Sequence, residues 1–387
     1  AVKIDPNYSS AVIHVLDASR SVPVVSNLLN ENRIEKEKFT NSIKDEYKKL
    51  RDDYLQKRSE KKFISIEQAR VNRTNIDWAN TNIKKPNKLG ITVLKNYPLK
   101  EIKNYIDWTP FFQTWELKGK YPKIFDDEKV GEEAKKLFID ANNLLEKIAE
   151  EKLLTANGVA GLFPANSVDY DDIEVYSDEK RRGVKIVLHT IRQQMLKSDK
   201  QPNTALADFI APKESGVEDY VGMFAVTAGI GIEKLVEKFE EEHDDYNVIL
   251  TKAIADRLAE AFAELLHQKV RGEYWGYSEK ENLSNEDLIK EKYAGIRPAP
   301  GYSAQPDHTE KQIIFSLLDV EETTGVRLTE SMAMYPAASV CGLYFSHPKA
   351  KYFTTGKIGK DQVLDYHRRK GMSVEEVEKW LGSVLNY

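Results

Sequence analysis

The stretch Asp172-Ile-Glu-Val-Tyr-Ser-Asp-Glu-Lys-Arg-Arg-Gly-Val-Lys-Ile-Val-Leu-His189 decides the fold. Two runs rich in β-branched and aromatic residues, 172–177 and 184–189, flank the charged turn Asp178 to Gly183, the signature of an antiparallel hairpin. Outward from it, further strands are expected at 220–227, 326–330, 340–346 and 351–355. Amphipathic helices are expected at 130–154, where Ala134, Leu137, Phe138, Ala141, Leu144, Leu145 and Ile148 share a face, and at 246–271. Strands and helices come mixed rather than in strict alternation. That order points to an α+β fold, a mainly antiparallel twisted sheet with flanking helices, over a doubly wound one.

At 387 residues the chain exceeds what one core usually serves, so about two or three units are expected. A composition of 41% hydrophobic and 31% charged residues is that of a globular protein. No apolar run approaches the ~18 residues of a bilayer span, and no charged-then-apolar leader opens the sequence, so a cytoplasmic protein without a membrane partner is expected. The single cysteine, Cys341, rules out an internal disulfide and a thiolate-only zinc cage. A net charge of -5 with mixed signs leaves no basic footprint for nucleic acid.

The first residues read as the end of something. Ala11 to Leu16 is a short apolar run suited to a buried strand, Asp17 and Ser19 suit helix caps, and Val22 to Leu29 suits a helix. Residues 1–30 are therefore expected to be the closing strand and helix of another domain; the other reading is a strand that joins the main sheet. Residues 31–90 form a helical linker and entry segment, with Ile34, Phe39, Ile43, Tyr47, Leu50 and Tyr54 at helical spacing and a loop-rich stretch at 75–98. Residues 91–387 form the main domain.

Several constellations compete for chemistry. In Tyr293-Ala-Gly-Ile-Arg-Pro-Ala-Pro-Gly-Tyr-Ser-Ala-Gln-Pro-Asp-His-Thr-Glu310, Pro298 and Pro300 stiffen an extended backbone and Gly301 permits a close approach. With Arg297 the segment suits a small ligand bearing a carboxylate and a flat heterocycle, or is simply a surface crossover. Thr227 to Glu233 imitates a phosphate-binding turn but lacks the third glycine, and reads as a strand-to-helix turn. Asp256, Glu260, Glu264 and His267 follow one another on neighbouring helical turns, and Glu264 and His267 have carboxylate-metal spacing, but no second such pair exists. A polar helix face with Arg257 paired to Asp256 or Glu260 is the plainer reading, and no metal site is expected. Ser331 and Ser339 near His347 lack a nucleophile elbow. Ser346 to Phe353 offers aromatic faces beside cations, able to stack on a purine. Asp107, among Tyr105, Trp108, Phe111, Phe112 and Trp115, either starts a helix or receives a cationic ligand.

Asp107 within Tyr-Ile-Asp-Trp-Thr-Pro-Phe-Phe, Arg297-Pro-Ala-Pro-Gly-Tyr302 with His308 after it, and Ser-His-Pro followed by Tyr352 together resemble the activation domain of cobalamin-dependent methionine synthase. Gly158 to Asn166, Asp208 to Ala211, His243 to Asn247 and Tyr274 to Tyr277 extend the resemblance over nearly the whole chain. Asp17-Ala-Ser-Arg20 resembles the end of that enzyme's cobalamin-binding domain. The resemblance implies a module that binds S-adenosylmethionine and presents its methyl group for reductive methylation of cob(II)alamin, with no general acid or base. It implies ligand contacts at Asp107, Arg297, Ala299, Tyr352 and Phe353, with Glu260 and Glu291 near the same cleft, and Ala18, Tyr302 and His308 facing cobalamin. Phe353 stands where a second tyrosine is common, so stacking survives there without a hydroxyl. The implied partners are the cobalamin-binding domain and a flavodoxin-type electron donor; zinc belongs to other modules. A self-sufficient methyltransferase and a non-catalytic docking module are the alternatives.

Overall fold

The computed structural model describes residues 2, 4–15, 20–59, 62–198 and 201–387. The chain divides into two compact units, Ala1–Ile64 and Ser65–Tyr387.

The first unit holds α1 (Ser21–Leu28) and α2 (Arg33–Ser59). Asn32 opens α2, its side-chain oxygen accepting the N–H groups of Ile34 and Glu35 at 3.1 and 3.4 Å, donors the first turn otherwise leaves unused. Tyr47 of the predicted stripe is buried, and its hydroxyl accepts the His14 N–H at 2.7 Å. The strand expected from Ala11 is not formed over residues 11–15, because the described residues of this unit include no second strand to complete a ladder. Leu16, Asp17, Ala18 and Ser19 lie outside the described residues.

The second unit is built on β1 (Gly90–Tyr97), β2 (Thr155–Val168), β3 (Asp172–Tyr176), β4 (Val184–His189), β5 (Asp219–Ile230), β6 (Arg327–Leu328), β7 (Met334–Tyr335) and β8 (Ser339–Tyr344). The main sheet runs β4-β3-β2-β5-β8, with β1 also on β2, and its pairings are antiparallel. The β3–β4 hairpin forms as its turn requires, and β6 with β7 makes a small separate hairpin.

β2 organises the sheet, yet its sequence does not look like a strand. Thr-Ala-Asn-Gly-Val-Ala-Gly-Leu-Phe-Pro-Ala-Asn-Ser-Val is poor in strand formers because its interior is crowded on both faces. A Cβ on Gly161 would sit 2.6 Å from Leu318 Cδ2 and 2.5 Å from the Phe163 ring. Pro164 has no N–H to give, and it falls where one β2 edge changes partner: pairing with β1 reaches Leu162 and pairing with β3 begins at Ala165. β1 likewise occupies part of the stretch expected to be loop.

The helices of this unit are α3 (Ile66–Val71), α4 (Leu99–Ile102), α5 (Thr109–Thr114), α6 (Gly131–Glu151), α7 (Ile232–Glu241), α8 (Asp245–Lys269), α9 (Asn285–Ile289), α10 (Glu310–Leu318), α11 (Val320–Thr324), α12 (Lys360–Lys370) and α13 (Val374–Leu381). β5 shows how they cover the sheet. Tyr220, Phe224 and Val226 join one core with Leu144 and Ile148 of α6 and Phe262 of α8, whereas Val221, Met223 and Ala225 join a second with Ile314 and Leu317 of α10. A strand buried on both faces loses the polar alternation of a surface strand and reads as a continuous apolar run. Each fully buried Phe or Leu contributes about 1.5–3 kcal/mol relative to exposure. The segment 351–355 is not a strand: the Thr355 N–H donates to Ser303 O at 2.7 Å and Gln193 Nε2 donates to Thr354 O at 2.7 Å, so loops satisfy it.

A polar centre lies on the same unit. Arg192, 0% exposed, uses every donor: Nε on Asp171 (2.7 Å), Nη1 on Asn203 O and Asp208 Oδ2 (both 2.8 Å), Nη2 on Tyr170 O (2.9 Å) and Asp208 Oδ1 (2.7 Å). Arg70 carries the network onward from Asp171 to Asp365 of α12, 2.7 Å from each.

Candidate functional site

Residues 296–298 run along the outer edge of β8. Ile296 and Phe345 exchange both backbone hydrogen bonds at 3.0 Å, and Pro298 O accepts the Leu343 N–H at 2.9 Å. The prolines contribute carbonyls without needing N–H partners, so the stiff segment fits beside a strand. Gly301 then turns the chain with φ +92, its N–H donating to Gln305 O at 2.7 Å. A Cβ there would lie 2.3 Å from the His308 ring, so both the torsion and the space demand glycine.

Arg297 lies at the centre of this arrangement. Its Nη2 meets Glu264 Oε2 at 2.7 Å; its Nη1 donates to Tyr293 Oη at 2.8 Å and to His267 Nδ1 at 3.2 Å. The backbone N–H of Arg297 donates to Tyr352 Oη at 3.0 Å. Glu264 and His267 are adjacent inward positions of α8, as the i, i+3 spacing requires. Burial, then Arg271 and Arg297, hold His267 well below its ordinary value, so the ring is neutral and Nδ1 can accept. It stacks on Tyr344 with centroids 5.1 Å apart. Burial raises the Glu264 carboxyl while Arg297 and Arg271 pull it back. The pair with metal-ligand spacing thus serves a guanidinium.

Arg297 faces a cavity of about 570 Å³. Its wall brings together Arg297, Ala299, Tyr352, Phe353, Glu260, Glu291, Tyr302 and His308. Tyr302 projects at the rim, 67% exposed, while Phe353 is anchored by contact with Phe209, centroids 6.4 Å apart. His308 Nδ1 lies 2.9 Å from Lys311 Nζ. Asp107 is not among the residues of this wall; its carboxylate accepts the Thr109 N–H at 2.9 Å, at the start of α5. Arg257 pairs with Asp256, leaving Glu260 at the cavity.

Other motifs resolve into structure. Gly231, with φ +95, forms the turn between β5 and α7. Ser339 Oγ donates to Pro336 O at 2.7 Å and His347 Nδ1 accepts the Lys349 N–H at 3.0 Å, so neither belongs to a nucleophile-base pair. Cys341 is buried in β8, and burial pushes its thiol up to about 12. Glu264 and His267 read in the sequence as a polar helix face, some of whose groups could look into a cleft, and Tyr293 as the start of the proline-rich stretch; that all three hold Arg297 was not expected. No helix among the described residues is long and apolar enough to cross a membrane.

Among solved structures, the chain is similar to the crystal structure of the MetH reactivation domain bound to AdoHcy, with 56% identity over 84% of this chain and 99% of that one and a TM-score of 0.82. The family model for the activation domain of vitamin B12 dependent methionine synthase matches residues 98–371. That match and the shared fold place the chain plainly: it belongs to the vitamin B12 dependent methionine synthase activation domain family.

Proposed function

We propose that the cavity at Arg297 binds S-adenosylmethionine and presents its methyl group for the reductive methylation of cobalamin. The observation that carries this reading is a guanidinium held by a buried carboxylate on the wall of one cavity that also offers aromatic faces and two further carboxylates. AdoHcy in the similar structure supports it, being the same ligand without the transferable methyl.

The residues suit the ligand group by group. Arg297 offers its planar fork to the amino-acid carboxylate, a contact worth about 1.5–3 kcal/mol. Tyr352 and Phe353 offer ring faces to the adenine, and Ala299, whose carbonyl accepts the Tyr302 N–H at 3.3 Å, offers its own N–H. Glu260 and Glu291 suit the ribose hydroxyls or the cationic groups. We assign Asp107 to the ligand ammonium on the family resemblance. Tyr302 and His308, at the rim, suit contact with the corrin. Cobalamin, carried by a partner domain, supplies the nucleophile, and a flavodoxin-type donor supplies the electron. This chain's part is to hold the sulfonium in line, and positioning of that kind is a large share of catalysis by itself.

Residues 1–30 we assign to the end of the cobalamin-binding domain and 31–90 to the linker, leaving 91–387 as the activation domain. The chain alone should not make methionine, because the substrate sites for that reaction belong to other modules; methionine formed by it unaided would contradict this. Calorimetric titration with S-adenosylmethionine tests the main reading: saturable binding is expected, weakened in Asp107→Asn. No saturable heat in the wild-type chain would overturn it.

A further inference from the structure

Three buried polar atoms beside Arg297 have no hydrogen-bond partner: Tyr344 Oη, Glu264 Oε1 and Arg271 Nη1, the last two 3.8 Å apart. The rest of Arg271 is closed, with Nη2 on Glu281 at 2.7 Å, Nε on the same carboxylate at 3.0 Å, and the guanidinium carbon 4.2 Å from the Tyr293 ring centroid. Glu281, Arg271, Glu264 and Arg297 therefore form a row of alternating charge that begins at the partly exposed Glu281, passes through the buried Arg271 and ends, on a cation, at the cavity wall.

Within this row Glu264 has a task that no neighbour duplicates. Tyr293 and His267 are neutral acceptors and both engage Nη1 of Arg297; Nη2 is fixed by Glu264. A guanidinium held at one nitrogen can still swing about its long flexible stem, and holding the second nitrogen sets the plane of the fork. Arg271 faces the other oxygen of Glu264 and keeps the carboxylate stationed between two cations.

We propose that Glu264 is a positioning residue, which sets the plane of the Arg297 fork so that the cavity selects ligands carrying an amino-acid carboxylate. The proposal rests on the S-adenosyl ligand reading above and adds to it the origin of the selectivity. A ligand carboxylate extends the alternating row by one more member, whereas an adenosine thioether without an amino-acid end gains nothing from it.

The experiment compares two probes on the full chain by calorimetry: S-adenosylhomocysteine, which has the carboxylate, and 5′-methylthioadenosine, which lacks it. In Glu264→Gln, which keeps shape but not charge, the preference for S-adenosylhomocysteine should fall about tenfold, a difference of about 1.4 kcal/mol, while 5′-methylthioadenosine binds within about twofold of wild type. Glu264→Asp, which keeps charge but not reach, should show the same loss of preference and stands in if the glutamine variant does not fold. An equal loss for both probes, an unchanged preference or an increased one would each overturn the proposal. Failure of the wild-type chain to bind either probe would instead overturn the ligand reading itself, and the proposal with it.

Discussion

Arg192 and Arg297 are both drawn into the second unit by carboxylates, and they end differently. Arg192 is 0% exposed and has each donor matched by a fixed acceptor, two carboxylates and two carbonyls among them. The side chain of Arg297 is 19% exposed, is held by one carboxylate and two neutral acceptors, and borders a cavity. Burial of a charge is costly unless it is paired and hydrogen-bonded, so completeness marks a structural role. Incompleteness beside a cavity marks a role toward something that arrives.

The comparison breaks first, if it breaks, at Arg192. Arg192→Met strands the buried Asp208, leaves Asp171 with Arg70 as its remaining cation, and by the usual cost of orphaning a buried partner should lose about 3–5 kcal/mol of stability. Urea unfolding measures this; a loss under about 1 kcal/mol would show that the network is not structural. Arg297→Lys keeps the charge but loses the fork, and S-adenosylhomocysteine affinity should fall at least about tenfold, with a much smaller change in the unfolding midpoint. Equal damage to stability in both variants would erase the distinction between the two arginines.

Acid sharpens it. His267 is held well below its ordinary value of about 6.5 by burial first and by Arg271 and Arg297 next. The native state therefore binds fewer protons than the unfolded chain once the pH drops below about 6.5, and stability present above that pH is lost as it falls. The groups facing this ring are Arg297, Arg271, Tyr293, Tyr344 and Tyr277. His267→Gln should flatten the fall in stability between about pH 7 and pH 5 by up to about 1.4 kcal/mol per unit. His347, pushed down to about 4 by burial and Lys349, adds a slope of the same sign that persists in this variant. Buried Asp219, raised to about 7, contributes the opposite sign and cancels in the difference. Parallel curves for the two proteins would deny His267 its neutral role.

The smallest effect is expected at Tyr352→Phe. It removes the acceptor of the Arg297 N–H but keeps the ring, so affinity should fall by a few-fold, equivalent to about 0.5–1.5 kcal/mol. An unchanged affinity would mean that the hydroxyl does not steady the loop.

What could be read in the chain beforehand follows from where each signal resides. The hairpin of β3 and β4, the helices α6 and α8 and the apolar run of β5 carry local periodicity, and they formed close to the expected bounds. β2 was invisible because Gly158 and Gly161 answer to Phe262 and Leu318, contacts that no local window contains. The loop around Arg297 was legible because proline and glycine restrict the backbone wherever they stand. Its holders on α8 were not, since helical spacing tells which residues share a face but not what lies opposite. The wall does gather Ala299, Tyr352 and Phe353 from distant positions, while Asp107, at the start of α5, is not among its residues.

The outermost strand of the main sheet would ordinarily present a row of bare amides and carbonyls to any passing chain. Here the segment that carries Arg297 is itself zipped along β8, through Ile296 with Phe345 and Pro298 with Leu343. The same few residues that shape the cavity also cap a sticky margin, and proline blocks further strand growth on their far side. Loosening this loop would therefore bare a strand edge at the same time as it disturbs the cavity.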